Sequence, residues 1–89
     1  MDTKRFEKLS NEEKNALTVN DFTVSELTEI ISETIFDKEI DRDIAIYRFV
    51  KSCTIERTAE KIGYEWKTIQ KRIPIIREKL NKTIKMLVY

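Results

Sequence analysis

The architecture follows from residues 55–80, whose sequence IERTAEKIGYEWKTIQKRIPIIREKL contains the single glycine and the single proline of the chain. Thr54, directly before it, offers a hydroxyl for a helix N-cap. Apolar residues then recur at helical spacing from Ile55 to Ile62, and Gly63 follows at once. A glycine directly after such a run is typical of a left-handed C-cap, so a short helix is predicted to end there.

A second helix is predicted from Trp66 almost to the last residue. Its apolar positions recur every three or four residues, at 66, 69, 73, 76, 80, 84 and 87. Pro74 lies inside this run, where a proline removes the hydrogen bond to the carbonyl of Gln70 and clashes with it. We therefore expect a kink or a break, with Pro74 at the first position of a new segment.

Two helices joined by a tight turn around a glycine, the second rich in cationic and amide side chains, form a helix-turn-helix. Here Ile55–Ile62 is the first helix and Gly63-Tyr64-Glu65 is the turn. Ala59 is expected where the two helices cross, and Ile69 is expected to face back into the pair. The predicted fold is all-α, a small helical domain of four to five helices that contains this motif and a long C-terminal helix.

Residues 55–80 resemble the C-terminal helix-turn-helix, region 4, of sigma-70-like factors and of the small sigma-like regulators of bacteriophages and mobile elements. The matching positions are Ala59, Glu60, Ile62, Gly63, Thr68, Ile69, Arg72, Ile73, Arg77, Lys79 and Leu80. Residues 41–51 are also similar to the helix that precedes this motif, so the resemblance covers about half of the chain. Thr58, Glu65 and Pro74 depart from the pattern, since an isoleucine or valine, a serine cap and an uninterrupted helix are usual there.

The resemblance implies a sequence-specific DNA-binding transcription regulator that inserts the helix from Trp66 into the major groove of double-stranded DNA. Sigma region 4 also binds RNA polymerase. The alternative is therefore a protein-interaction module that docks on RNA polymerase or another regulator through its sigma-like fold. Trp66 itself is expected to be partly buried, because a lone tryptophan usually contributes packing area.

The predicted DNA-contacting face consists of the side chains that point away from Ile69 and Ile73. Lysine, threonine, glutamine and arginine can hydrogen bond to base edges, and base contacts are assigned to Lys67, Thr68, Gln70, Lys71 and Arg72. Phosphate contacts are assigned to Arg57, Lys61, Arg77 and Lys79, with Lys82 and Lys85 further along. The alternative interpretation is the ordinary solvated face of a surface helix.

Charge is divided unevenly between the two halves of the chain. Residues 1–45 carry six Lys or Arg against twelve Asp or Glu, a net charge of −6, whereas residues 46–89 carry eleven against four, a net charge of +7. The basic half suits phosphate, although the two halves could instead pair with each other. Residues 1–36 are predicted to be an acidic helical segment of the same domain as residues 37–89, which hold the helix-turn-helix and the C-terminal helix.

Capping boxes predict two helices in the acidic segment. Ser10 to Glu13 and Thr23 to Glu26 have a hydroxyl at the N-cap and a carboxylate three residues later. The first helix is expected to last to about Val19 and the second to about Phe36.

A mostly buried third helix is expected next, capped by Asp37 or Asp41. Cys53 is predicted to be a small buried core residue. The acidic residues nearby are expected on solvent faces, at 26, 29, 33, 37, 39, 41 and 43.

Composition excludes several classes of protein. The chain has 89 residues, no histidine and one cysteine, so a zinc finger and a disulfide-stapled fold are excluded. No nucleophile–base pair or metal cluster can be assembled, so neither an enzyme nor a bound cofactor or metal is expected. No apolar run is long enough for a membrane span or a signal peptide, which predicts a cytoplasmic protein without a membrane partner.

A homodimer is predicted from the C-terminal half of the long helix. Its apolar stripe extends past the helix-turn-helix, and a core of a few short helices could cover only part of it: Ile73, Ile76, Leu80, Ile84 and Leu87. A second chain is the favoured cover, because small DNA readers commonly span two half-sites as symmetric dimers. The alternative cover is the N-terminal helix of the same chain, around Leu17 and Val19.

Overall fold

The computed structural model describes residues 3–89, and five α-helices make up most of this part of the chain. They are α1 (Asn11–Asn15), α2 (Val24–Glu33), α3 (Glu39–Ala45), α4 (Ile55–Ile62) and α5 (Trp66–Val88). Short 3-10 turns occur at Lys4–Phe6 and Val19–Asp21, and α3 continues directly into a π-helical turn at Ile46–Val50. The predicted all-α fold with a long C-terminal helix is confirmed.

Both predicted capping boxes are present. The backbone N–H of Glu13 donates to the Ser10 hydroxyl and the N–H of Ser10 donates to the Glu13 carboxylate, each over 3.1 Å. Thr23 and Glu26 exchange the same two bonds, at 3.2 and 2.9 Å. These local contacts explain why α1 and α2 begin where the sequence predicts.

Both helices end earlier than predicted. α1 stops at Asn15 instead of near Val19, because Thr18 and Asp21 form a further capping box that starts a separate 3-10 turn. α2 stops at Glu33 instead of near Phe36, and Thr34 leaves the helix with an extended backbone.

The predicted cap of α3 by Asp37 or Asp41 is wrong. Lys38 occupies the N-cap position and makes no side-chain capping bond, and the helix begins at Glu39. Asp41 lies within α3 and is 1% exposed, so it is not on a solvent face as expected. Its carboxylate instead forms an ion pair with an arginine on α5, described below.

The core forms around one side of α5. Ile69, Ile76, Leu80 and Ile84 on α5 are all fully buried. They belong to one hydrophobic cluster with buried residues from the rest of the chain, namely Phe6, Val19, Phe22, Leu27, Ile30, Ile31, Ile44, Ala45 and Ala59. Burying each large aliphatic side chain stabilises the fold by roughly 1.5–3 kcal/mol. α5 is therefore the helix around which the rest of the domain packs.

The homodimer was predicted because the apolar stripe of α5 was expected to be only partly covered, and the packing of the core removes that basis. The stripe from Ile73 to Leu87 is already buried within the same chain, since four of its five members are at most 8% exposed and Leu87 packs partly buried against the cluster. Val19 belongs to the same cluster and Leu17 packs against it, as the intramolecular alternative predicts, but residues of α2, α3 and α4 belong to the cluster as well. Cys53, expected in the core, is only partly buried and lies outside the helices.

Of the kink or break predicted at Pro74, the break does not occur, and α5 runs without interruption from Trp66 to Val88. Pro74 and Gln70 both lie on the exposed side of the helix, away from Ile73 and Ile76. Water can therefore bind the carbonyl of Gln70 that the proline leaves without a donor.

Among residues 3–89, no helix combines the length and the apolar character needed to cross a bilayer.

Candidate nucleic-acid interface

The turn between α4 and α5 is built by Gly63. Its backbone has φ 85° and ψ 30°, the left-handed conformation predicted for this glycine. The N–H groups of Gly63 and Tyr64 both donate to the carbonyl of Ala59, over 2.8 and 3.1 Å. A β-carbon added at Gly63 would meet no atom within 4 Å, so the backbone angle and not the available space requires glycine.

The two helices pack as the helix-turn-helix pattern predicts. Ala59 on α4 is 7% exposed and Ile69 on α5 is fully buried, and both belong to the same hydrophobic cluster. At the start of α4, the Thr54 hydroxyl accepts the N–H of Arg57 over 3.1 Å, which is the predicted N-cap. The left-handed Gly63 turn and the hydrophobic cluster that holds both Ala59 and Ile69 thus set the orientation of α5 relative to α4.

Three of the five predicted base-contacting residues are exposed on α5. Lys67, Gln70 and Lys71 lie on its outer surface, and Thr68 is partly buried. Lys67 and Lys71 are four residues apart, so they are neighbours on the same side, one helical turn from each other. We call the exposed group Lys67, Gln70 and Lys71 the α5 face.

Arg72 is separated from this face by its contact with Asp41. Its Nε and Nη2 atoms donate to the two carboxylate oxygens of Asp41 over 2.8 and 2.5 Å. The side chains of Arg72 and Asp41 are only 14% and 1% exposed. The hydrogen bonds to Asp41 raise the pKa of Arg72 above its ordinary value, although burial acts in the opposite direction. Arg72 therefore joins α5 to α3 and does not present its guanidinium to a ligand.

Spacing could have revealed this role. Arg72 stands three residues after Ile69 and four before Ile76, and both isoleucines are fully buried. Side chains at these spacings are neighbours on a helix, so Arg72 borders the buried side. The identity of its partner, 31 residues away, was beyond local reasoning.

The predicted phosphate contacts divide into two groups. The Arg57 side chain is 54% exposed, with a 3.4 Å contact to Glu60, and Lys61 is exposed on the same helix. Arg77 is exposed and its guanidinium lies 4.9 Å from the ring centroid of Phe49. These three cations are open to solvent and can meet a polyanion.

Lys79 belongs to the second group, because its ammonium lies 3.4 Å from Asp37. It lines a groove elsewhere on α5, together with Lys82. Lys82 is exposed and lies 3.9 Å from Glu78 on the same helix. The structure therefore does not bring these two lysines together with the α5 face.

Two aromatic residues flank the α5 face. Trp66 is 48% exposed, so the protein covers about half of it, and the Lys67 ammonium lies 5.8 Å from its ring. Tyr64, which sequence reasoning did not single out, is 46% exposed in the turn. Its position next to the only glycine was the available signal. Exposed aromatic rings beside lysines can contact sugars and thymine methyl groups.

No group of three metal-ligating side chains occurs within residues 3–89. No protein-family model matches the chain, and no curated protein or solved structure matches it either. The features that bear on function are therefore the geometry of α4, the Gly63 turn and α5.

Proposed function

We propose that the protein is a sequence-specific DNA-binding transcription regulator that docks the first turns of α5 in the major groove. The observation that carries the proposal is the exposed α5 face, Lys67, Gln70 and Lys71, held behind a left-handed glycine turn with Ile69 buried beneath it. A major groove admits an α-helix whose first residues reach the base edges.

Different side chains supply affinity and specificity in this arrangement. Gln70 can hydrogen bond bidentately to adenine, and Lys67 and Lys71 can donate to the acceptors of guanine. Arg57, Lys61 and Arg77 supply positive charge for phosphates on either side of the groove. Arg72 is a positioning residue, since its ion pair with Asp41 holds α5 against α3.

The proposal is tested by selecting duplexes from a random-sequence pool and titrating the selected duplex by fluorescence anisotropy. We expect saturable binding that a scrambled duplex competes for poorly. Absence of sequence-dependent binding would contradict the proposal and favour the protein-interaction module that docks on RNA polymerase or another regulator.

Lys71→Ala separates base reading from phosphate contact. We expect a loss of about 1–3 kcal/mol on the selected duplex and relaxed specificity at one base pair, because a base-edge contact is removed. Lys8→Ala is the matched control, since Lys8 is also an exposed lysine but lies in the N-terminal segment. Equal weakening of Lys71→Ala on selected and scrambled duplexes would make Lys71 a phosphate contact.

Salt dependence provides a second readout. Binding should weaken steeply with salt, because each phosphate contact adds roughly 0.9 to the slope of log K against log salt concentration. Removing Arg57 or Arg77 should reduce this slope by about that amount without changing the preferred sequence. A flat salt response of the unmodified protein would contradict docking in the groove.

A further inference from the structure

The two most exposed of the large apolar side chains lie far from the α5 face. Ile35 is 87% exposed and Met86 is 82% exposed, more than any other large apolar residue that the structure describes. Both line one groove between the end of α2 and the C-terminal half of α5. We call this the Ile35–Met86 groove. Its exposed apolar surface would be stabilised by a protein partner that removes it from water.

The bottom of the groove is held in a fixed shape. The hydroxyls of Thr34 and Thr83 are 2.7 Å apart and buried, and they join the end of α2 to α5. Each hydroxyl also lies within hydrogen-bond distance of a carbonyl of its own segment, Thr34 of Ile30 and Thr83 of Lys79, and one of the two donates its single proton to the other hydroxyl instead. A binding surface fixed in this way loses little conformational entropy when a partner docks.

The two sides of the groove carry opposite charges. Glu33, the last residue of α2, stands on one side, and Lys79 and Lys82 of α5 stand on the other. Asp37 already contacts Lys79, whereas the nearest carboxylate to Lys82 is Glu78 at 3.9 Å, with both side chains about two-thirds exposed. Glu33 and Lys82 are therefore the two charges best placed for a partner.

We propose that the Ile35–Met86 groove is the contact surface of a symmetric homodimer. A two-fold axis that runs along the groove places the α2 side of each copy against the α5 side of the other. Ile35 then meets Met86 of the second copy, and Glu33 lies opposite its Lys82. A uniformly acidic peptide would meet Glu33 and a uniformly basic one would meet the lysines. A second copy carries both charges, and the two-fold arrangement brings each of them opposite the unlike charge.

The small size of the groove sets the strength of the dimer. A stable interface buries about 800 Å² on each partner, more than two apolar side chains and their flanking charges provide. The dimer should therefore have a dissociation constant in the micromolar range or higher, and its population should rise with protein concentration.

The position of the groove leaves the α5 face free. Met86 lies fifteen residues beyond Lys71 on one helix, or about 22 Å along its axis. Two copies joined near Met86 can hold their α5 faces up to about 45 Å apart, a range that includes the 34 Å between successive major-groove half-sites. Only this consequence depends on the proposed DNA binding.

Sedimentation of the full chain without DNA tests the dimer, so its outcome does not depend on DNA binding. The mass should rise from 10.6 kDa towards twice that value between low micromolar and near-millimolar concentration. Ile35→Asp should keep the mass at the monomer value. Val24→Asp is the matched control, since Val24 is also exposed, at 59%, but lies outside the groove, and it should still dimerise.

Charge reversal tests the two-fold arrangement. Glu33→Lys and Lys82→Glu should each weaken dimerisation at least tenfold, and the double variant should restore it, because the two charges exchange roles. Circular dichroism establishes that each variant is folded. A monomer at all concentrations, a dimer insensitive to Ile35→Asp, or a double variant as weak as the singles would overturn the proposal.

Discussion

At the scale of single residues, Thr58 is a buried polar group without a partner. Its side chain is fully buried in α4, and its hydroxyl has no hydrogen bond among the described residues. A buried hydroxyl left unpaired costs about 1–3 kcal/mol, so an apolar side chain of the same shape should be better there.

Thr58→Val should therefore raise the free energy of unfolding by about 1–2 kcal/mol, measured by urea denaturation. Thr83→Val is the matched control, since the Thr83 hydroxyl bonds to Thr34 and to the carbonyl of Lys79. That variant should lose stability. Equal effects of the two substitutions would mean that the Thr58 hydroxyl has a partner in solution.

The ion pair between Asp41 and Arg72 gives a second residue-scale prediction. Asp41→Leu should lower the free energy of unfolding by about 3–5 kcal/mol, because it leaves a largely buried guanidinium without its carboxylate. The double variant Asp41→Leu with Arg72→Met should cost less than Asp41→Leu alone, since neither charge is then buried. A double-mutant cycle measures the coupling, and additive losses would contradict the pairing.

At the scale of elements, α5 is stable in spite of its proline. Pro74 is exposed inside an unbroken helix, so the cost of a missing hydrogen bond is not offset by packing there. Pro74→Ala should raise the free energy of unfolding by roughly 1–3 kcal/mol, because the N–H to the Gln70 carbonyl is restored.

Glu78→Ala, an exposed change four residues further on, is the control and should stay within about 0.5 kcal/mol of the unmodified protein. A similar value for Pro74→Ala would show that the proline is compensated by contacts not visible in the helix itself.

Element starts and ends were predictable where the deciding contact is local. Ser10, Thr23, Thr54 and Gly63 each act through partners within four residues, and all four act as the sequence predicts. The early end of α1 has a local cause as well, the capping box that begins at Thr18, and the spacing of Thr18 and Asp21 was available in the sequence.

At the scale of the whole molecule, the deciding contacts join distant parts of the chain. The partner of Arg72 lies 31 residues away, and the α5 stripe is buried in a cluster with residues from Phe6 to Ala59. Periodicity shows that a stripe must be buried but does not say which segment buries it. The fold class was therefore predictable, and spacing indicates that Arg72 borders the buried side, whereas the partner of Arg72 and the segments that bury the stripe were not predictable.

The N-terminal segment is attached to α2 by an ion pair. The Arg5 guanidinium donates to the Glu26 carboxylate over 2.6 Å and to the carbonyl of Asp21 over 3.0 Å, and it lies over the ring of Phe6. The hydrogen bond from the backbone N–H of Thr23, together with Arg5, holds the pKa of Glu26 below its ordinary value of 4.5, although burial opposes this.

Stability should consequently depend on pH through Glu26. Because its pKa is lower in the folded state, the ionised carboxylate stabilises the fold above pH 4.5, and this contribution is lost as the pH falls through the folded-state pKa. Unfolding in urea should show Glu26→Gln less stable at neutral pH, with the difference shrinking on acidification. Parallel curves for the two proteins throughout the acid range would contradict the attachment.

The position of Trp66 also determines which binding events its intrinsic fluorescence can detect. The chain has a single tryptophan, half exposed at the start of α5 and twenty residues before Met86 on the same helix. Excited at the red edge of its absorption band, where tyrosine does not absorb, the indole is an optical label that needs no chemical attachment. The wavelength and intensity of its emission should change when duplex DNA covers the Gly63 turn. Both should stay constant when the protein dimerises through the Ile35–Met86 groove.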